Sequence, residues 1–341
     1  MLAEAEIEIG NVSFPKLGIK MNIQESFQVF GLTVRWYGVI ICLGMILCMI
    51  LGIRFSKRYG LDSDKVMDYV LFAIPAAIVG ARIYYVIFRM DYYGANPGEI
   101  VKIWKGGLAI YGGIIAAVIT ILIVSRVKKD KFLHILDFAM PYIMLGQAIG
   151  RWGNFVNQEA YGSQTTWILG MTGSRIEQEV GEGILVHPTF LYESVWCLLG
   201  FAFLVFFRKR LQKSYGEITA LYMCLYGAER AIVESLRTDS LMITVGSTEL
   251  RVSQILSVML VFVGVALFID SRRRGTPAFL TEKEAAENAE SGSSSLSAAI
   301  GILENGEETE NTDEAENTDV QDEVIEQERA PASGEEAAPQ E

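Results

Sequence analysis

Seven stretches of about 20 mostly apolar residues follow one another along this chain, and they restrict its fold more than any other feature. A helix needs about 20 such residues to cross the hydrocarbon core of a bilayer. Three of the stretches carry no charged residue, and the other four carry a few. The predicted spans are 36–53, 66–88, 106–125, 135–155, 190–207, 217–236 and 252–269. The sequence therefore predicts an all-α polytopic membrane protein with seven transmembrane helices.

The net charge of −12 is concentrated at the C-terminus. Residues 276–341 hold 19 acidic and two basic residues, so the first 275 residues hold 22 acidic and 27 basic ones. A positive mean hydropathy of +0.29 in spite of this polar segment excludes an ordinary soluble protein. The segment itself has too few apolar residues to bury a core, and we predict that it is a disordered acidic tail.

Basic clusters predict the orientation of the spans, because positively charged loops stay in the cytoplasm. Such clusters follow the first, third, fifth and seventh spans, which places the N-terminus outside and the tail inside. The predicted parts are an extracytoplasmic arm (1–35), a transmembrane domain (36–275) that includes a small extracytoplasmic head (156–188), and a cytoplasmic tail (276–341). The four clusters are Arg54, Lys57 and Arg58; Arg126, Lys128, Lys129 and Lys131; Arg208, Lys209, Arg210 and Lys213; and Arg272, Arg273 and Arg274.

Metal and hydrolase chemistry find little support in the sequence. The four cysteines lie in apolar runs without paired spacing, and His134 and His187 fall near opposite ends of the predicted bundle. No Gly-x-Ser-x-Gly or His-Glu-x-x-His motif occurs. We therefore expect no metal and no cofactor.

Charged side chains inside the sixth span point to a function, because each costs about 2.5–3.5 kcal/mol at membrane depth. Tyr226, Arg230, Glu234 and Arg237 follow a spacing of four, four and three residues, which places them on one face of a helix. An ion network that only closes the bundle is the alternative. Since two arginines share one glutamate here, the pattern favours a further anion.

The end of the fourth span carries a second polar group. Between Gly150 and Gly162, Arg151, Asn154 and Glu159 offer an anion-binding fork, an amide and a carboxylate. A capped loop at the end of a helix is the alternative interpretation. Together with the sixth span, this group predicts an arginine-lined site for a phosphate-bearing lipid.

Two further features have structural as well as functional interpretations. Arg82 in the second span either extends its charge to the membrane interface or supports the site. Gly112 and Gly113, which follow Tyr111, either allow close helix packing or let a lipid headgroup approach the backbone.

At these same residues the chain resembles the prolipoprotein diacylglyceryl transferase family. The segment from Gly150 to Glu159 is similar to the family signature Gly-Arg-x-Gly-Asn-Phe-x-Asn-x-Glu, which leads to a later glycine, here Gly162. Four further matches occur in family order: Arg35-Trp36-Tyr37-Gly38, the glycine-rich segment around Tyr111, His187-Pro188-Thr189-Phe190-Leu191-Tyr192-Glu193, and Tyr226-Gly227-Ala228-Glu229-Arg230 through Glu234 to Arg237.

The resemblance implies a seven-helix bundle with an arm and a head, in the cytoplasmic membrane of a bacterium. It also implies a reaction in which the diacylglyceryl group of phosphatidylglycerol moves to the lipobox cysteine of a prolipoprotein signal peptide. A thioether forms and glycerol phosphate leaves. No cofactor, metal or nucleic acid is implied.

The resemblance also implies roles for single residues on the lipid side of the site. Arg151 would bind the phosphatidylglycerol headgroup, while Asn154 and Glu159 would orient its hydroxyls. Tyr37 would contact the headgroup or the substrate from the first span. Close approach of the lipid would be allowed by Gly112, Gly113 and Gly162.

At the reacting centre the resemblance points to the sixth span. Arg230 would bind or activate there, with Tyr226 beside it. Glu234, Arg237 and Arg82 would support these side chains.

Tyr111 stands where many family members carry a histidine that has been proposed as the general base. A tyrosine phenol has a reference pKa of about 10 and is a poor base at neutral pH. The histidine-base mechanism therefore cannot apply unchanged. Either Tyr111 acts by hydrogen bonding, or another group removes the thiol proton, for example through Arg230 and water.

Two other functions remain open on the residues alone. A transporter or lipid flippase would use the same arginines to move an anionic substrate, but it predicts repeat symmetry that the sequence does not show. A membrane scaffold would recruit a partner through its acidic tail. Deletion of residues 276–341 separates a scaffold, which would lose function, from a transferase, which would keep it.

Overall fold

The computed structural model describes residues 9–238, 242–245 and 248–275. The acidic tail predicted for residues 276–341 lies outside the described residues. Nine α-helices are present in the described part: α1 (Trp36–Phe55), α2 (Ser63–Ile87), α3 (Met90–Ala95), α4 (Ile110–Val127), α5 (Phe132–Asn157), α6 (Ser174–Val180), α7 (Thr189–Arg210), α8 (Glu217–Leu236) and α9 (Val252–Arg274).

The seven long helices lie on the seven predicted stretches. Six of them are long and apolar enough to cross a membrane, as expected for a multi-pass membrane protein. The exception is α8, which has a suitable length of 20 residues but carries several charged side chains.

The predicted start of the third span at Gly106 is wrong by four residues, because α4 begins at Ile110. Gly106 and Gly107 have φ values of 86° and 75°, in the left-handed region that a right-handed helix does not use. Both glycines therefore belong to the loop that leads into α4.

The fold is not purely helical, because the N-terminal arm and the head form small sheets. β1 (Ile9–Phe14) pairs antiparallel with β2 (Ile19–Gln24) and with β5 (Thr172–Gly173). A hairpin of β3 (Ser26–Val29) and β4 (Leu32–Arg35) precedes α1, and a second hairpin of β6 (Met242–Val245) and β7 (Thr248–Arg251) precedes α9.

An apolar core joins the arm, the head and two long helices. Val12 of β1 and Ile176 of α6 are almost completely buried, and they cluster with Phe155 of α5 and Phe190 of α7. The arm and the head thus pack on the end of the bundle where α5 ends and α7 begins. We call this end of the bundle the head end.

Asp137 of α5 fixes the start of α8 at the opposite end of the bundle. Its fully buried carboxylate accepts hydrogen bonds from the backbone N–H groups of Gly216 at 2.7 Å and Thr219 at 2.8 Å. These N–H groups have no partner inside the helix at its first turn, so a side chain of another helix supplies their cap.

Candidate active site

A single buried carboxylate joins the two arginines predicted for the site. Glu193 on α7 is 1% exposed, and its Oε2 lies 2.5 Å from Nε of Arg151 on α5. Its Oε1 lies 3.6 Å from Nη1 of Arg230 on α8. Arg230 also pairs through Nη2 with Oε2 of Glu234 at 2.8 Å, one turn further along α8. Three helices therefore meet in one charged network near the head end.

The turn at the end of α5 brings Glu159 back to Asn154. Gln158 follows the last residue of α5 with a φ of 50°, which turns the backbone away from the helix. Beyond the turn, Oε1 of Glu159 accepts a hydrogen bond at 2.9 Å from Nδ2 of Asn154. The predicted amide and carboxylate are thus in contact, one turn of helix from Arg151.

Gly162 connects the head to the end of α8. Its N–H donates to the carbonyl of His187 at 2.9 Å, and it forms an antiparallel bridge with Arg237. A Cβ atom at Gly162 would lie 2.8 Å from Cβ of His187, so only glycine fits without a shift. This junction holds Arg237 close enough to interact electrostatically with Glu193.

Tyr37 at the start of α1 packs on the signature of α5. A Cβ atom at Gly153 would lie 2.6 Å from Cδ2 of the Tyr37 ring. The ring therefore occupies the space that a side chain at Gly153 would need, and it remains 37% exposed. Tyr226 of α8 is half-buried and interacts electrostatically with both Arg230 and Arg151.

The glycines after Tyr111 form a helix crossing. A Cβ atom at Gly112 would lie 2.4 Å from the carbonyl oxygen of Gly80 on α2, and one at Gly113 would lie 3.2 Å from the carbonyl oxygen of Ala77. This geometry favours helix packing over lipid approach as their role. Tyr111 itself is 45% exposed and lies within electrostatic range of Tyr226.

Replacing Gly112 by alanine is expected to lower the free energy of unfolding by about 1–3 kcal/mol, the usual effect of overpacking. The reason is the contact of the new methyl group with α2. Thermal unfolding in detergent measures the effect, with Gly94→Ala as the control because a Cβ atom there meets nothing within 4 Å. Unchanged stability combined with weaker lipid binding would instead support a role in lipid approach.

Arg82 is buried, which does not fit a side chain that reaches to the membrane interface. Its guanidinium donates hydrogen bonds of 2.7–2.8 Å to four backbone carbonyls of the loop between α3 and α4. It therefore holds the segment that leads to Tyr111. The four acceptors are Glu99, Ile100, Gly106 and Gly107.

Two carboxylates of this site, Glu193 and Glu229, received no role from the sequence pattern. Both are charged residues inside helices predicted to span the membrane, and the same property drew attention to Glu234 in the sequence. Among the described residues, no group of three or more His, Cys, Asp or Glu side chains is arranged to hold a metal ion. The charged donors that the site offers are the guanidinium groups of Arg151 and Arg230, which suit a phosphate.

Comparison with known proteins agrees with the family resemblance found in the sequence. A family model described as prolipoprotein diacylglyceryl transferase matches residues 24–270. The phosphatidylglycerol–prolipoprotein diacylglyceryl transferase of Finegoldia magna is 48% identical over 251 residues, which cover 73% of this chain and 96% of the relative. That of Streptococcus pneumoniae strain JJA is 44% identical over 260 residues, covering 76% and 98%.

Proposed function

Since this chain belongs to the prolipoprotein diacylglyceryl transferase family, we propose that it transfers the diacylglyceryl group of phosphatidylglycerol to a prolipoprotein. The acceptor is the thiol of the lipobox cysteine, and the products are a thioether and glycerol phosphate. The observation that carries this proposal is the network in which Glu193 joins Arg151 and Arg230.

The network suits the chemistry of the transfer. The acceptor sulfur attacks a glycerol carbon as the bond from that carbon to the phosphate oxygen breaks, so negative charge grows on the departing phosphate. Arginine donors that are already fixed by Glu193 and Glu234 stabilise this charge without reorganisation. Their positive charge also favours the thiolate over the thiol.

Each polar group has a place in this proposal. Arg151 binds the phosphate of the headgroup, and the Asn154–Glu159 pair faces the hydroxyls of its glycerol. Arg230 lies at the reacting centre with Tyr226 beside it, Glu234 holds it in position, and Arg237 supports the site.

We also propose that α8 spans the membrane as the sixth of seven helices. Glu229 and Glu234 are 2% and 1% exposed, so these carboxylates face the protein and not lipid. Four basic clusters then share the cytoplasmic side. The head end lies outside the cytoplasmic membrane of a bacterium, with the N-terminus outside and the C-terminus inside.

The test of the proposed function is a transfer assay. Purified protein is mixed with phosphatidylglycerol labelled in its diacylglyceryl part and with a lipobox peptide. We expect thioether-linked label on the peptide, no label when serine replaces the peptide cysteine, and at least a 100-fold lower rate for Arg151→Ala. The matched control is Arg126→Ala. Arg126 is an exposed arginine at the end of α4 that is opposite to Tyr111. Folded wild-type protein that labels no peptide would contradict the proposal.

The same assay separates the alternatives. A lipid transporter would move labelled phosphatidylglycerol between leaflets of a vesicle and would leave the peptide unlabelled. A scaffold would depend on residues 276–341, whereas deletion of these residues leaves a transferase active.

A further inference from the structure

The side chain of Glu229 makes no hydrogen bond to the part of the chain that the structure describes. It lies on α8 next to Arg230 and is 2% exposed. Neither of its carboxylate oxygens has a hydrogen-bond partner among the residues that the structure describes. Burying an unpaired carboxylate is costly, because water no longer solvates the charge. A buried group of this kind calls for an explanation.

The carboxylate of Glu229 faces the network already described. It interacts electrostatically with Arg151 of α5, with Glu193 of α7 and with Arg230. Glu229 therefore lies buried beside the charged network, one residue before Arg230 on α8.

The ion pairs of the site are complete without Glu229. Glu193 already joins Arg151 to Arg230, and Glu234 holds Arg230 from the other side. Among the described residues, Glu229 forms no ion pair and no side-chain hydrogen bond that would join the helices.

The proposed reaction needs a group that accepts a proton, and both histidines of this chain make other contacts. His134 contacts the carbonyl of Tyr59 at the opposite end of the bundle, and His187 of the head lies 3.2 Å from the hydroxyl of Tyr192 on α7. Tyr111 is a phenol and a poor base. Carboxylates are among the side chains that proteins use most often as general bases.

We propose that Glu229 is the general base that takes the proton of the acceptor thiol, a role that rests on the proposed transferase function. The thiol S–H bond breaks and its proton moves to a carboxylate oxygen of Glu229. The sulfur then forms a bond to the glycerol carbon as the bond from that carbon to the phosphate oxygen breaks. The proton leaves Glu229 for the released glycerol phosphate, which restores the carboxylate.

The test compares Glu229→Gln with wild-type protein on two lipobox peptides, one with cysteine and one with selenocysteine kept reduced. A selenol is already ionised at neutral pH and needs no base. We expect kcat on the cysteine peptide to fall by about 10²–10⁴-fold and kcat on the selenocysteine peptide to change less than about fivefold. Glu229→Asp should recover part of the rate on the cysteine peptide.

Stability provides the second readout. Glutamine has nearly the same shape and carries no charge, so Glu229→Gln should keep or raise the thermal midpoint. Glu217→Gln is the matched control, because Glu217 is a fully buried carboxylate of the same helix that pairs with Arg272 at 2.7 Å. It should lower the midpoint and leave the rate per folded molecule unchanged.

The outcomes are distinguishable. An unchanged rate of Glu229→Gln on the cysteine peptide overturns the proposal, and so does an equal loss on both peptides with a lower midpoint, which would give Glu229 a structural role. Wild-type protein that modifies neither peptide contradicts the transferase function itself.

Discussion

Replacing Arg230 by alanine is expected to lower kcat/KM of the proposed transfer by about 10³-fold. Its guanidinium is the group of α8 that faces both Glu193 and Glu234, and it is fixed before substrate arrives. Without it, the charge that grows on the departing phosphate loses a preorganised donor in a site of low dielectric constant. Initial rates of peptide labelling with saturating phosphatidylglycerol measure the effect.

Arg230→Lys is the informative companion to this change. Lysine keeps the positive charge but offers a point charge in place of a planar fork, so it cannot contact Glu193 and Glu234 at once with the same geometry. We expect it to recover less than a tenth of the lost rate. If Arg230→Ala retains more than a third of the wild-type rate in folded protein, Arg230 does not lie at the reacting centre.

The second large effect concerns stability. Replacing Glu193 by alanine is expected to lower the free energy of unfolding by about 3–5 kcal/mol, because it leaves the charge of Arg151 without its partner in a largely buried place. The transfer rate should fall as well, since neither arginine would keep its orientation. Unfolding in detergent, followed by the fluorescence of tryptophan, measures the first effect.

A surface ion pair provides the control for Glu193. Glu25 lies 3.7 Å from Arg175, whose side chain is 45% exposed, and such pairs contribute about 0–1 kcal/mol. Glu25→Ala should therefore change stability little. A double-mutant cycle of Glu193 and Arg151 isolates their coupling, and a coupling near zero would contradict the central place of Glu193.

The long helices could be predicted from the sequence because they depend on local composition. Each of the seven stretches buries apolar side chains in lipid or protein and satisfies its backbone within the helix, which needs no distant partner. The start of α4 could not be predicted in this way. It depends on Gly106 and Gly107, whose carbonyls are held by Arg82 from another helix.

The roles of single side chains could likewise be predicted only where they depend on residues nearby in the sequence. The spacing predicted that Tyr226, Arg230, Glu234 and Arg237 share one helix face, and Arg230 and Glu234 do pair on α8. Arg237 instead follows the last residue of α8 with an extended backbone. For Gly112 and Arg82, the sequence allowed a structural and a functional interpretation alike. The structure supplied the neighbours that favour packing for the glycine and backbone binding for the arginine.

The sequence by itself determined that this chain forms long apolar helices, that Arg151 and Arg230 lie on two of them, and that the chain resembles a family of lipid-dependent transferases. Only the tertiary structure decided that Glu193 joins those arginines and that Glu229 is buried beside them without a hydrogen-bond partner among the described residues. The physical reason is that helix formation follows from neighbours along the chain, whereas the partner of a buried charge is set by which faces of α5, α7 and α8 pack together.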